Sequence, residues 1–202
     1  MTDAGSAVAL KEWAAVEDAL ATGRLSVLVR KGGIYEKRGG FEVEHRGFWI
    51  FPTGWHQNEH ELLPAFRGHL GDTPRFPANQ VALRAYCTVE ASWRVEDLAA
   101  LERLGELQPF SPETLKARFE YRGKPYLHVI LVRAHGLPEP RVVPNTAAYE
   151  GCVSWVQLES PLATPDARPV LDDDAFADLR REVLKRLGDA VASVSNGSRI
   201  AT

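Results

Sequence analysis

Between Leu25 and Phe51 the chain alternates strand-forming runs with paired glycines, and no other feature restricts the fold as much. Leu25 to Arg30 is rich in β-branched residues, and Phe48-Trp49-Ile50-Phe51 is a second such run that Pro52 is expected to end. Gly32-Gly33 and Gly39-Gly40 bracket the segment from Ile34 to Arg38. Paired glycines supply backbone conformations that other residues resist and let a partner approach the main chain. Phe41, Val43 and His45 alternate with Glu42, Glu44 and Arg46, a period of two that predicts a half-exposed strand. The whole stretch predicts a twisted hairpin or meander.

The flanking sequence surrounds this meander with helices and further strands. Leu10, Trp13, Val16 and Leu20 lie at helical spacing, so residues 8–22 are expected to form a helix that Gly23 stops. His56 to Phe66 reads as a short helix disturbed by Pro64, and Gly68 to Asn79 as loop. Val81 to Glu90 predicts a strand and Val95 to Leu107 an amphipathic helix. Ser111-Pro112-Glu113 opens another helix with a hydroxyl cap, a first-turn proline and an acid near the positive end of the dipole. Tyr126 to Ala134 is a strand, and Pro138, Pro140 and Pro144 mark a rigid connection. Gly151 to Glu159 is a late strand, and Asp172 caps a final helix. This order lacks regular βαβ alternation. It predicts an α+β fold, a mixed and mainly antiparallel sheet with flanking helices, with closure into a barrel-like sheet as a variant. One domain over residues 8–191 and a flexible tail over 192–202 are expected.

Composition narrows the function classes. Of 202 residues, 45% are hydrophobic and 25% charged, which excludes wholesale disorder. The net charge of −3 gives no general attraction to polyanions, so a nucleic-acid site has to be a local basic patch. Cys87 and Cys152 make neither a disulfide framework nor a zinc set. The chain shows no secretory leader and no membrane-length apolar run, so a cytoplasmic protein without a membrane partner is expected.

Chemistry concentrates between Arg24 and His60. From Arg24 to Phe48 the basic residues Arg24, Arg30, Lys31, Lys37, Arg38 and Arg46 outnumber Glu36, Glu42 and Glu44 by three. Lys and Arg beside Gly32 and Gly33 can hold phosphates with side chains and backbone N–H groups together. Tyr35, Trp49 and Trp55 can stack a base. The bland alternative is a solvated charged hairpin with its aromatics in the core. His56-Gln57-Asn58-Glu59-His60 matches the H-x-x-E-H zinc motif in its three fixed positions, if the segment is helical. A nuclease using Mg²⁺ or Mn²⁺ would draw on Glu36, Glu42, Glu44 and His45, because carboxylates sharing a cation stabilise charge on a transferring phosphate.

A set of short motifs then resembles a known family. Arg30-Lys31-Gly32-Gly33-Ile34, the run Phe41 to His45, Phe51-Pro52-Thr53 and His56-Gln57 are similar to the domain-of-unknown-function family 1802. Phe110-Ser111-Pro112-Glu113, Arg118-Phe119, Leu131-Val132-Arg133 and Leu137-Pro138 resemble its second half. The resemblance runs from about Leu10 to Pro140. It implies a bacterial protein and adds His56 and Gln57 to the ligand-binding candidates. It establishes no activity, although a restriction-endonuclease label has been given to some members. Together the residues favour a DNA-, RNA- or nucleotide-binding module. A metal-dependent phosphodiesterase and a non-catalytic protein-interaction domain are the alternatives. The layout is loosely similar to the small β-barrel domains associated with pseudouridine synthases.

Overall fold

The computed structural model describes residues 5–31, 36–37, 40–41, 45–54, 57–70, 79–150 and 154–191, with residues 36–37 and 40–41 in backbone only. The elements in chain order are β1 (Ser6–Trp13), α1 (Ala14–Ala21), β2 (Val27–Arg30), β3 (Glu36–Lys37), β4 (Gly40–Phe41) and β5 (Gly47–Thr53). They continue with α2 (Pro64–Arg67), β6 (Gln80–Val95), α3 (Leu98–Arg103), α4 (Pro112–Glu120), β7 (Leu127–Pro144), β8 (Trp155–Leu162), β9 (Arg168–Pro169) and α5 (Asp173–Leu187). A seven-stranded mixed sheet runs in the order β2-β7-β6-β5-β1-β8, with β9 added to β7. Among the described residues only β1 and β5 pair in parallel; the other pairings in this sheet are antiparallel. The fold is α+β as expected, and among the described residues the sheet does not close into a barrel.

Two cores explain the apolar pattern of the central strands. Successive side chains of a strand point to opposite faces. Phe48 and Ile50 join the larger core with Leu10, Val16 and Leu20, while Trp49 and Phe51 join the smaller one with Ala9, Tyr149 and Val156. A strand buried on both faces reads as a continuous apolar run, which is why Phe48-Trp49-Ile50-Phe51 shows no alternation.

The same double burial corrects the first expected helix. Leu10 and Trp13 lie in β1, and only Val16 and Leu20 lie in α1. β1 sits between β5 and β8, so neighbours on both sides satisfy its backbone and tertiary pairing overrides the helical spacing. Gly23 does stop the helix, at φ +75°. The proline-rich connection is also corrected. Pro138, Pro140 and Pro144 lie inside β7. Ala85 pairs with Gly136 and Leu83 with Arg141, so the residues 137–140 pass opposite Arg84 alone. Such an irregularity tolerates prolines, which cannot donate to a regular ladder. Pro64 starts α2 instead of disturbing a helix, and Pro52 falls within β5.

α4 is built as its sequence predicts. Ser111 Oγ accepts from the Thr114 N–H at 3.3 Å, Pro112 occupies the first turn, and Leu115 and Phe119 are buried. The turn 59–61 is fastened beside the start of α4. Ser111 N donates to Glu61 O at 2.8 Å, and Leu63 N donates to Pro109 O at 2.9 Å.

Candidate functional site

The root of the glycine-rich segment is held by internal partners. Arg30 donates to Lys11 O at 2.9 Å and forms a close ion pair with Glu12, both side chains being largely buried. Lys31 Nζ donates to Phe119 O at 2.6 Å, to Tyr126 O at 3.0 Å and to Lys124 O. An ammonium has three donors, so this set employs all of them. Phe119 O belongs to the last turn of α4, where a cation complements the helix dipole. Burial, and then the nearby Lys124 and Arg94, pull the Lys31 ammonium below its ordinary pKa of 10.5. Both residues therefore act first as fasteners.

The other candidates are dispersed. Trp49 is fully buried, with Nε1 donating to Ser6 O at 3.2 Å, and offers no stacking face. His45 meets the Trp155 ring edge-on at 4.9 Å. Arg46 is exposed, and its carbonyl accepts from Val89 N at 2.8 Å. Gln57 Oε1 accepts from Ala15 N at 3.0 Å and so caps α1 from 42 residues away, in place of Trp13, which has no capping side chain. Glu59 and His60 lie in a 3₁₀ turn whose His60 N donates to Asn58 Oδ1 at 3.0 Å. That turn is not the α-helix an i, i+4 zinc pair needs, and among the described residues no group of three His, Cys, Asp or Glu is placed to hold a metal. Gly32, Gly33, Tyr35, Arg38, Glu42, Glu44, Trp55, His56 and the 192–202 tail lie outside the described residues, as do the side chains of Glu36 and Lys37.

Beside this root lies a groove of about 650 Å³ lined by Lys31, Glu61, Glu113, Thr114, Ala117, Arg118 and Tyr121. That size suits a small organic ligand. Most of the lining is one face of α4. Thr114, Ala117 and Arg118 of α4, with Tyr121 at its C-terminal cap, recur at i, i+3, i+4 and i+7, the spacing that gathers helical residues on a single side.

Arg118 dominates the groove. Its guanidinium lies 3.7 Å from the Phe110 ring centroid and 5.2 Å from that of Trp13, and the two rings meet edge to face at 5.5 Å. Stacking of this kind holds the planar fork while leaving its edge N–H groups free to donate. No hydrogen bond or ion pair of this guanidinium is found among the described residues. Burial lowers its pKa below the ordinary arginine value, the field of Glu12 opposes that shift, and Arg118 remains a cation. In the sequence, Glu113 and Arg118 stand out only as marks of a helix start and of the family resemblance. The available signal was the i, i+3, i+4, i+7 recurrence of residues without a large aliphatic side chain, next to the buried pair Leu115 and Phe119.

A second charged cluster joins α1 to β6. Glu17 is fully buried, yet its carboxylate accepts from Arg84 N at 2.8 Å and Arg84 Nε at 2.9 Å. Arg84 Nη1 also donates to Asp18 at 3.0 Å, and His69 Nδ1 lies 2.7 Å from Asp18 Oδ2. These bonds pin the helix to the sheet.

The family signature of a domain of unknown function, DUF1802, matches residues 9–182. The chain belongs to the DUF1802 family. The match takes in β1 from Ala9 onward, all of α4 and every residue lining the groove, so this groove is part of the DUF1802 domain. No curated protein matches the chain. Among solved structures it is similar to ASCH from Zymomonas mobilis, at 14% identity and a TM-score of 0.45, over 88% of this chain and 93% of that one. A serine-to-alanine variant of the same protein gives 16% identity and a TM-score of 0.45, over 75% and 87% of the two chains. No helix among the described residues is long and apolar enough to cross a membrane.

Proposed function

We propose that this DUF1802 chain is a nucleic-acid- or nucleotide-binding domain that seats a phosphate on Arg118. One observation carries the reading: a guanidinium stacked on Phe110 and near Trp13, with no hydrogen bond of its own among the described residues, lines an open groove of about 650 Å³. A planar fork already fixed by aromatic rings loses little freedom when it grips a phosphate in bidentate fashion. Tyr121, 54% exposed at the groove, supplies a face on which a base can stack. The glycine-rich segment follows Lys31 directly in the chain, so its Lys37 and Arg38 are the next source of phosphate contacts.

The test is fluorescence anisotropy with labelled single-stranded RNA and DNA at low salt, in the presence of EDTA. Hydrogen bonds to charged groups contribute about 1.5–3 kcal/mol, so Arg118→Met is expected to weaken binding by about 10- to 100-fold. Methionine keeps an apolar side chain on Phe110, and a thermal melt of the variant separates lost binding from lost folding. Ala117→Trp gives a second arm, because Ala117 is exposed and an indole there fills the groove without touching the core. Full affinity in both variants would exclude the groove as the binding site. Failure of the unmodified chain to bind any probe would exclude the function.

A further inference from the structure

We infer that the groove accepts one ribonucleotide unit, with its phosphate on Arg118 and its ribose hydroxyls donating to Glu113. This rests on the reading above and names what the site selects. Four charged side chains line the groove: Lys31, Arg118, Glu61 and Glu113. The Lys31 ammonium is committed to three backbone carbonyls. Arg118 is thus the lining cation with donors to spare, and the side-chain oxygens of Glu61 and Glu113 accept no hydrogen bond among the described residues. A phosphodiester chain lying along this lining would meet one available cation and two anions, and like charges brought together cost several kcal/mol. One phosphate followed by hydrogen-bond donors fits instead.

The donors are what a carboxylate selects, since an ionised carboxylate can only accept. A ribose presents two adjacent hydroxyls and a deoxyribose lacks one of them, which is the difference by which proteins separate RNA from DNA. An acid on the 2′-hydroxyl is the same device that dinucleotide-binding folds use.

Placement along α4 suits this order of groups. Glu113, Ala117 and Tyr121 are four residues apart and form one row, with Thr114 and Arg118 in the row beside it. At a rise of 1.5 Å per residue, Arg118 lies about 7.5 Å along the axis from Glu113, and Tyr121 about 4.5 Å beyond Arg118. Between them the row holds only the exposed methyl of Ala117, which leaves room for a sugar. Glu61 is brought beside the start of α4 by its own carbonyl, which accepts from Ser111 N. There its negative charge restrains Arg118 from gathering a second phosphate.

The experiment compares a 5′-phosphorylated hexaribonucleotide of adenosine with its all-deoxy counterpart, each labelled at the 3′ end, by anisotropy at fixed salt. A hydrogen bond to a charged acceptor predicts about tenfold tighter binding of the RNA. Glu113→Gln, an isosteric change at an exposed position, is expected to bring the RNA to the affinity of the DNA and to leave DNA binding no weaker. Equal affinity of the two hexamers for the unmodified chain, with both still lost in Arg118→Met, would overturn this inference and leave the proposed function standing. RNA preference that survives Glu113→Gln would also overturn it. Absence of Arg118-dependent binding to either hexamer would overturn both.

Discussion

At the scale of single residues, a cation can serve a ligand only if its donors are not already spent inside the fold. Arg24, Arg30 and Lys31 contribute half of the basic residues counted between Arg24 and Phe48. Arg24 reaches Glu106 at 2.6 Å, Arg30 reaches Glu12, and Lys31 is bound to carbonyls 88 to 95 residues away. Partners that distant leave no trace in local spacing, so Lys31 reads as a phosphate ligand although it fastens the end of α4. Gly47 shows the same limit in reverse. A Cβ built there would stand 2.1 Å from the Tyr86 hydroxyl and 3.1 Å from its ring carbon. Gly47→Ala is therefore expected to destabilise by about 1–3 kcal/mol, the usual cost of overpacking a rigid ring. Tyr86→Phe in the same chain removes the atom that clashes and should restore most of that loss in urea unfolding. A double variant no better than Gly47→Ala alone would show that the backbone at β5, and not the hydroxyl, sets the requirement.

At the scale of elements, the strands and helices with local signals were legible and the boundary between β1 and α1 was not. α4 and α5 begin where Ser111 and Asp172 predict, with Asp172 Oδ1 accepting from Ala175 N at 2.8 Å. α1 has no such signal, because its capping group is Gln57 and its charged anchor is Arg84. Burial pushes the Glu17 carboxyl above its ordinary value of 4.5, and the guanidinium and backbone N–H of Arg84 oppose that shift. Arg84→Met removes most of the opposition and leaves a fully buried carboxylate without its cation. A loss of about 3 kcal/mol is expected, at the low end for broken buried pairs because Arg84 is half exposed. The pH dependence follows from linkage. Between 4.5 and the raised native value, the folded chain holds a proton on Glu17 that the unfolded chain has released, so stability increases as pH falls through that window. The deficit of Arg84→Met relative to the unmodified chain should thus shrink between pH 7.5 and pH 5 in matched urea titrations. A deficit that is constant or grows on acidification would mean that Glu17 is not the group left unpaired. Glu17→Met combined with Arg84→Met should recover most of the lost stability at pH 7.5.

For the whole molecule, the α+β class was legible because apolar strand runs and helix caps are local signals, but the expected meander over 25–51 is not what the sheet contains: β2 pairs with β7, and β5 pairs with β6 and β1. The candidate site was legible only in part. The sequence pointed to Lys31, which lines the groove, but the groove's face belongs to a helix more than 80 residues later in the chain. The same distribution of charge fixes how binding should respond to salt. A chain of net charge −3 offers no broad attraction to a polyanion, and the groove lining is balanced between two cations and two anions. Each phosphate neutralised on a single strand contributes about −0.7 to the slope of log K against log salt. Arg118 accounts for one such contact, and Lys37, Arg38 and Arg46 in the sequence offer up to three more. The slope for a single-stranded RNA should therefore fall between about −0.7 and about −2.8, from one to four contacts. Arg118→Met should make it shallower by about 0.7, whereas Lys31→Met should lower stability with little effect on the slope. Anisotropy titrations from low to moderate salt give all three values. A slope clearly steeper than −2.8, or one that drops with Lys31→Met and not with Arg118→Met, would move the phosphate contacts from the α4 groove to the basic segment that follows β2.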